Sequence, residues 1–164
     1  MACRGVHFAI TSADANRLLA ASSEDEVLRI IQDDIEEKWD EEWLYESDKA
    51  WDAIHRCLTD GTLNPTSGVY PLKLAILNGH RIDAGPNYIV SLTTPDQAKD
   101  VAASLAELSQ ASLRERYDAL DPDDYYLGKS SDDFLYTWEY FDGLAGFFQR
   151  AADARRHVIF TVDQ

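Results

Sequence analysis

Positive charge is scarce in this chain of 164 residues: 15 Lys and Arg face 30 Asp and Glu, for a formal charge of -15 and an isoelectric point near 4.4. Such a surface repels phosphate backbones and anionic head groups, so no direct binding to nucleic acid or to a membrane is expected. Cysteine is rarer still. Cys3 and Cys57 are too far apart in a chain of ordinary domain size for a disulfide framework or a thiolate cluster, and free thiols in a reducing cytoplasm are the expectation. The eight glycines are dispersed, which excludes a phosphate-cradling loop, a dinucleotide fingerprint and a nucleophile elbow. No run approaches the roughly 20 apolar residues that span a bilayer. The apolar stretch ending at Ile10 is too short, and too closely followed by Thr11, Ser12 and Asp14, for a secretory leader. His7, His55, His80 and His157 are scattered without zinc spacing. Asp121, Asp123 and Asp124 begin like a calcium loop, but Tyr126 replaces the turn glycine and no glutamate holds the last ligand place. No metal and no cofactor are therefore expected.

What the chain has is material for a core. Apolar residues make up 45% of it and aromatics 11%, with Trp39, Trp43, Trp51 and Trp138 among them. One core is enough to bury that, so residues 1–164 are expected to form a single domain. Gly5–Ile10, Asn87–Leu92 and His157–Val162 carry the alternation or β-branched content of strands. Ser12 is placed to cap a helix over Ala13–Ala21, and Ser23 with Glu26 forms a capping box for a second helix. That second helix carries Val27, Ile30, Ile31 and Ile35 and is predicted to extend to about Trp43, with Trp39 and Trp43 on one face. Ser47 reads as the cap of a third helix, with Ala50, Trp51, Ile54, Cys57 and Leu58 as its buried stripe. After a loop, Pro71 opens a short predicted helix ending at Asn78-Gly79, with a strand as the competing reading. Thr94-Pro95 opens an amphipathic helix, a shorter one spans Leu113–Leu120, and a long one runs from Phe134 to Ala152 after an acidic loop. The fold class is α+β, with one small sheet of about three strands covered by about six helices.

Chemistry concentrates around one predicted helix, where Asp48, Asp52 and His55 follow at four- and three-residue spacing. On a common face, a carboxylate there can orient and polarise His55 as a general base, or share a divalent metal with it. The competing reading is a core histidine satisfied by backbone or by Asp52. Charge singles out a second region: between Glu24 and Asp48 acids greatly outnumber Arg29 and Lys38. Glu36, Glu37, Glu41 and Glu42 would give a solvated acidic face, and Trp51 and Tyr88 aromatic ones, for a basic protein partner.

Several blocks resemble the YfbM-like family of uncharacterised bacterial proteins: Gly5-Val6-His7-Phe8-Ala9-Ile10; Asp48-Lys49-Ala50-Trp51 through His55 to Leu58-Thr59; Tyr70-Pro71-Leu72 through Ala75-Ile76-Leu77 to Gly79; and Tyr140-Phe141 through Phe147 to Ala151-Ala152. The resemblance covers nearly the whole chain. It implies a compact α+β domain and marks Asp48, Trp51 and His55 as matches to the family's most recognisable motif, but it supplies no reaction and no ligand. Two functions follow from the residues. One is a non-enzymatic binding module, of the toxin-neutralising kind, whose acidic helical surface meets a basic protein; the other is a small hydrolase or metal-assisted enzyme using Asp48, Asp52 and His55, with Tyr88 across a cleft.

Overall fold

The alternating and amphipathic stretches fold, in a computed structural model that describes residues 3–125 and 127–163, into one antiparallel sheet with helices on both faces. Its strands are β1 (Gly5–Ile10), β2 (Leu44–Asp48), β3 (His80–Asp83), β4 (Tyr88–Thr93) and β5 (His157–Asp163), in the order β2-β1-β5-β4-β3. The α+β class is as expected, but there are five strands where about three were predicted. β3 escapes a sequence reading because three of its four residues are exposed, which leaves no alternation to see. β2 lies where acidic residues and the Trp39/Trp43 spacing imitate a helix. The acidic loop is ordered around Tyr125, while Tyr126 lies outside the described residues.

The helices are α1 (Ser12–Ala20), α2 (Glu24–Arg29), α3 (Trp51–Leu58), α4 (Pro95–Ala106), α5 (Gln110–Asp118), α6 (Ser131–Asp142) and α7 (Leu144–Asp153). Capping chemistry places several of their starts. Thr11, rather than the neighbouring Ser12, accepts from the Asp14 amide, Ser23 accepts from Glu26, and Thr94 and Gln97 form a reciprocal box. α2 continues as π-helical turns over Ile30–Glu36, where the Glu37 amide reaches back to the Gln32 carbonyl at 3.0 Å. It ends there and not at Trp43, because Trp39 turns the chain at φ +41° into the strand. Ser47 caps nothing; it is a β2 residue whose hydroxyl donates to the Gly5 carbonyl at 3.1 Å. The single helix predicted over Phe134–Ala152 is two, broken at Gly143, where the Tyr45 ring would stand 2.8 Å from any Cβ. No helix among the described residues is long and apolar enough to cross a membrane.

Alternation along the strands sorts the side chains between two cores. Val6, Phe8 and Ile10 of β1, Val90 and Leu92 of β4 and Ile159 of β5 face α1, α2 and the π turns, packing on Leu18, Val27, Ile30 and Ile31. Ala9, Val158, Phe160 and Val162 face the larger layer of α3 to α7. All eight residues of α3 are buried, so this helix is enclosed on every side, in contrast to the half-solvated helix its spacing implies. β1 crosses the sheet beneath it. A Cβ on Gly5 would lie 2.7 Å from the Phe160 ring and 2.8 Å from Trp51, and the Trp51 indole nitrogen donates to the Cys3 carbonyl at 2.9 Å.

This packing leaves no room for a methyl group at Gly5. Gly5→Ala is expected to lower unfolding stability by about 1–3 kcal/mol, the usual cost of overpacking a filled core, as measured by urea denaturation. Wild-type stability in that variant would show that the two rings can move aside.

Candidate functional site

The structure separates the residues picked out around α3. Asp48 is not on the helix; it ends β2 at φ +43°, where its carboxylate accepts from the Tyr136 hydroxyl at 2.6 Å and from Arg4 Nε at 3.2 Å. Those hydrogen bonds, Tyr136 foremost, hold its pKa below the usual carboxylate range. Asp52 turns away from His55 and accepts from Arg56 Nε at 2.6 Å. Arg56, only 4% exposed, also donates to the Gly61 carbonyl, pairs with the Asp124 carboxylate and lies over the Tyr125 ring. Tyr125 and Tyr117 in turn donate to one oxygen of Asp133, at 2.8 and 2.5 Å. The cluster ties the acidic loop and α6 to α3 and satisfies its own polar groups.

His55 is 1% exposed, it lines none of five surface clefts on the molecule, and its Nε2 has no hydrogen-bond partner among the described residues. Burial lowers its pKa to about 4, with the neighbouring Arg56 charge acting in the same direction. The predicted Asp48/Asp52/His55 face therefore does not form, and Trp51 offers no surface to a partner because it is packed over β1. His7 is likewise internal. Its Nε2 donates to the Ala75 carbonyl at 2.7 Å among Phe147, Phe148 and Phe160, and burial brings its pKa to about 4. It faces Phe160 across the sheet rather than His157, which lies opposite Ile10. Among the described residues no group of three or more His, Cys, Asp or Glu is placed to hold a metal ion.

Two other candidates do converge, on the opposite face of the sheet. The π turns carry Glu36 over the ends of β4 and β5, where its carboxylate accepts a short hydrogen bond from the Tyr88 hydroxyl and another from Thr161 Oγ1 at 3.2 Å. Burial, reinforced by Glu36, pushes the Tyr88 pKa above its ordinary value, so the phenol stays a donor. Around them opens a cleft of about 320 Å³, also lined by Arg4, Glu46, Trp39 and Asp163. Register explains the company: Val6 lies opposite both Glu46 and Thr161, and Tyr88 opposite Asp163, all on one face. Trp39 is 42% exposed, with its ring edge-on to Phe8. Arg4 is occupied by Glu46 at 3.3 Å and by Asp48. Glu37, Glu41 and Glu42 are exposed but outside the cleft lining. Trp39, Glu46, Thr161 and Asp163 were not anticipated. The one available signal was Thr161, a hydroxyl set between Phe160 and Val162 in the otherwise apolar stretch Val158–Val162 of β5.

A family model described as a domain of unknown function (DUF1877) matches residues 1–161. Among solved structures, the crystal structure of YfbM, a protein of unknown function from Escherichia coli, aligns with a TM-score of 0.68 at 20% identity, over 97% of this chain and 99% of that one. Both agree with the resemblance read from the sequence. The second is a likeness of fold. No curated protein matches the chain.

The two buried histidines make stability depend on pH. Each is near 4 in the folded protein against 6.5 unfolded, so between those values the unfolded chain takes up protons that the fold refuses. Their contribution is complete above pH 6.5 and is lost as the pH falls to 4, by about 3 kcal/mol each. Urea unfolding at pH 7 and pH 4 should show this loss, shrinking in His7→Gln and in His55→Gln; an unchanged pH dependence when both are replaced would contradict it.

Proposed function

The chain belongs to the DUF1877 family, and we propose that it is a non-enzymatic binding module that seats a basic side chain of a protein partner in the cleft beside Glu36. The observation that carries this reading is a fixed carboxylate in an open, aromatic-walled cleft. Both hydroxyl donors converge on Glu36 Oε1, and Oε2 has no hydrogen-bond partner among the described residues. A carboxylate that accepts both donors on one oxygen retains acceptor capacity on the other. Trp39 and Tyr88 add ring faces that attract a cation, and Glu46 and Asp163 make the lining acidic despite Arg4. A guanidinium satisfies this arrangement better than an ammonium, since it can hydrogen-bond in one plane while stacking on a ring.

The sign of the partner follows from the whole molecule. A formal charge of -15 steers basic proteins, cationic toxins and nucleases included, toward the surface at low ionic strength. The alternative of a hydrolase centred on His55 gains no support from an imidazole enclosed in the core.

An Arg-rich peptide titrated into the protein, followed by tryptophan fluorescence, tests the point of entry. Glu36→Gln keeps the shape and removes the charge, so affinity should drop by at least roughly tenfold, the low end of what one hydrogen bond to a charged group contributes. Trp39→Ala should weaken it as well. Peptide affinity that is unchanged in both variants, or insensitive to salt, would refute the assignment.

A further inference from the structure

The two edges of the sheet are unlike. At one, β2 is fastened to α6, with the Tyr45 hydroxyl donating to the Tyr140 carbonyl at 2.9 Å and the Tyr136 hydroxyl donating to Asp48. At the other, β3 pairs with β4 on one side and, among the described residues, with no strand on its outer side. That side opens on a groove of about 480 Å³ between β3 and the turn from α1 to α2. An open strand edge presents unpaired backbone donors and acceptors in a row, a template for another strand. His80, Arg81 and Asp83 are exposed, and Ile82 between them is buried. Arg81 has no ion-pair partner among the described residues.

We propose that β3 is a self-association surface, pairing antiparallel with β3 of a second copy about a two-fold axis at Ile82 to make a continuous ten-stranded sheet. The charge order along the strand specifies this occupant. Arg81-Ile82-Asp83 is self-complementary when reversed: with Ile82 opposite its own copy, Arg81 lies across from Asp83 of the partner subunit, and Asp83 across from Arg81 of the partner subunit. Sliding one two-residue step either way sets Arg81 against Arg81 of the partner subunit, or Asp83 against Asp83 of the partner subunit. Like charges directly opposite destabilise a strand pair, so one register is selected. β3 has no net charge, whereas the chain carries -15, so the strand itself adds no repulsion between two copies. Leu19, 51% exposed at the rim of the groove, gains apolar cover from the approaching copy.

Sedimentation equilibrium or light scattering of the full-length protein reads the outcome. The wild type is expected to dimerise, and Arg81→Asp and Asp83→Arg should each weaken the dimer by at least tenfold. The chain carrying both substitutions has the charges exchanged but still self-complementary, and should dimerise again. An equimolar mixture of the two single variants should form a mixed dimer, which also shows that each variant folds. A wild type that stays monomeric at about 1 mM, the limit of weak association, would overturn the proposal. So would a dimer indifferent to both single substitutions, or a charge-exchanged chain that does not re-associate.

Discussion

The placement of the C-terminal strand at the centre of the sheet is the constraint from which the rest follows. β5 hydrogen-bonds to β1 on one side and to β4 on the other, and Val158, Ile159, Phe160, Thr161 and Val162 are all buried. A strand covered on both faces needs two cores, and the helices divide accordingly, with α1, α2 and the π turns on one face and α3 to α7 on the other. Phe160 also dictates its neighbours. Its ring lies over β1 beside Trp51, so β1 needs a glycine at that point, and Trp51 fastens its indole nitrogen to the chain just before Gly5. The motif residues that stand out in the sequence are thus parts of one joint between the first strand, the last strand and α3.

That joint explains why residues suited to chemistry do not converge on a common face where the sequence placed them. Asp48 holds a turn of positive φ to α6, Asp52 neutralises a buried arginine, and His55 and His7 sit neutral in an apolar core. A charged group in such surroundings is tolerated only when paired, and Arg56 meets that condition with Asp52 and Asp124. Polar groups do converge in a cleft at the far end of the other face, where the π turns bring Glu36 to Tyr88 and Thr161. π turns are frequent at functional sites because they displace one residue from the regular helical course.

Much of the fold was legible because local chemistry and long-range packing agree. Thr94-Pro95 announces α4, where Gln97 completes a capping box, and the alternation of Val158, Phe160 and Val162 announces β5. Where they disagree the reading failed. Acidic residues and tryptophans from Glu36 to Leu44 fit a helix locally, yet β1 requires a partner strand there, and Trp39 breaks the helix to provide it. Gly143 looks harmless in a helical pattern until the Tyr45 ring arrives against it. Asp52 has His55 three residues on and Arg56 four residues on; the second pairing wins because a buried guanidinium needs the charge more than an imidazole does. Of the site, Glu36 and Tyr88 could be named separately, but 52 residues separate them in the chain and only the fold brings them together.

Native-state amide hydrogen exchange tests the central placement of β5 most directly. Amides of Val158–Val162 and of their β1 partners should exchange only through global unfolding and so share one free energy, while those of β3 exchange through cheaper local opening. Exchange in β5 as fast as in β3 would contradict the account, because a strand that frays by itself cannot hold the two cores together.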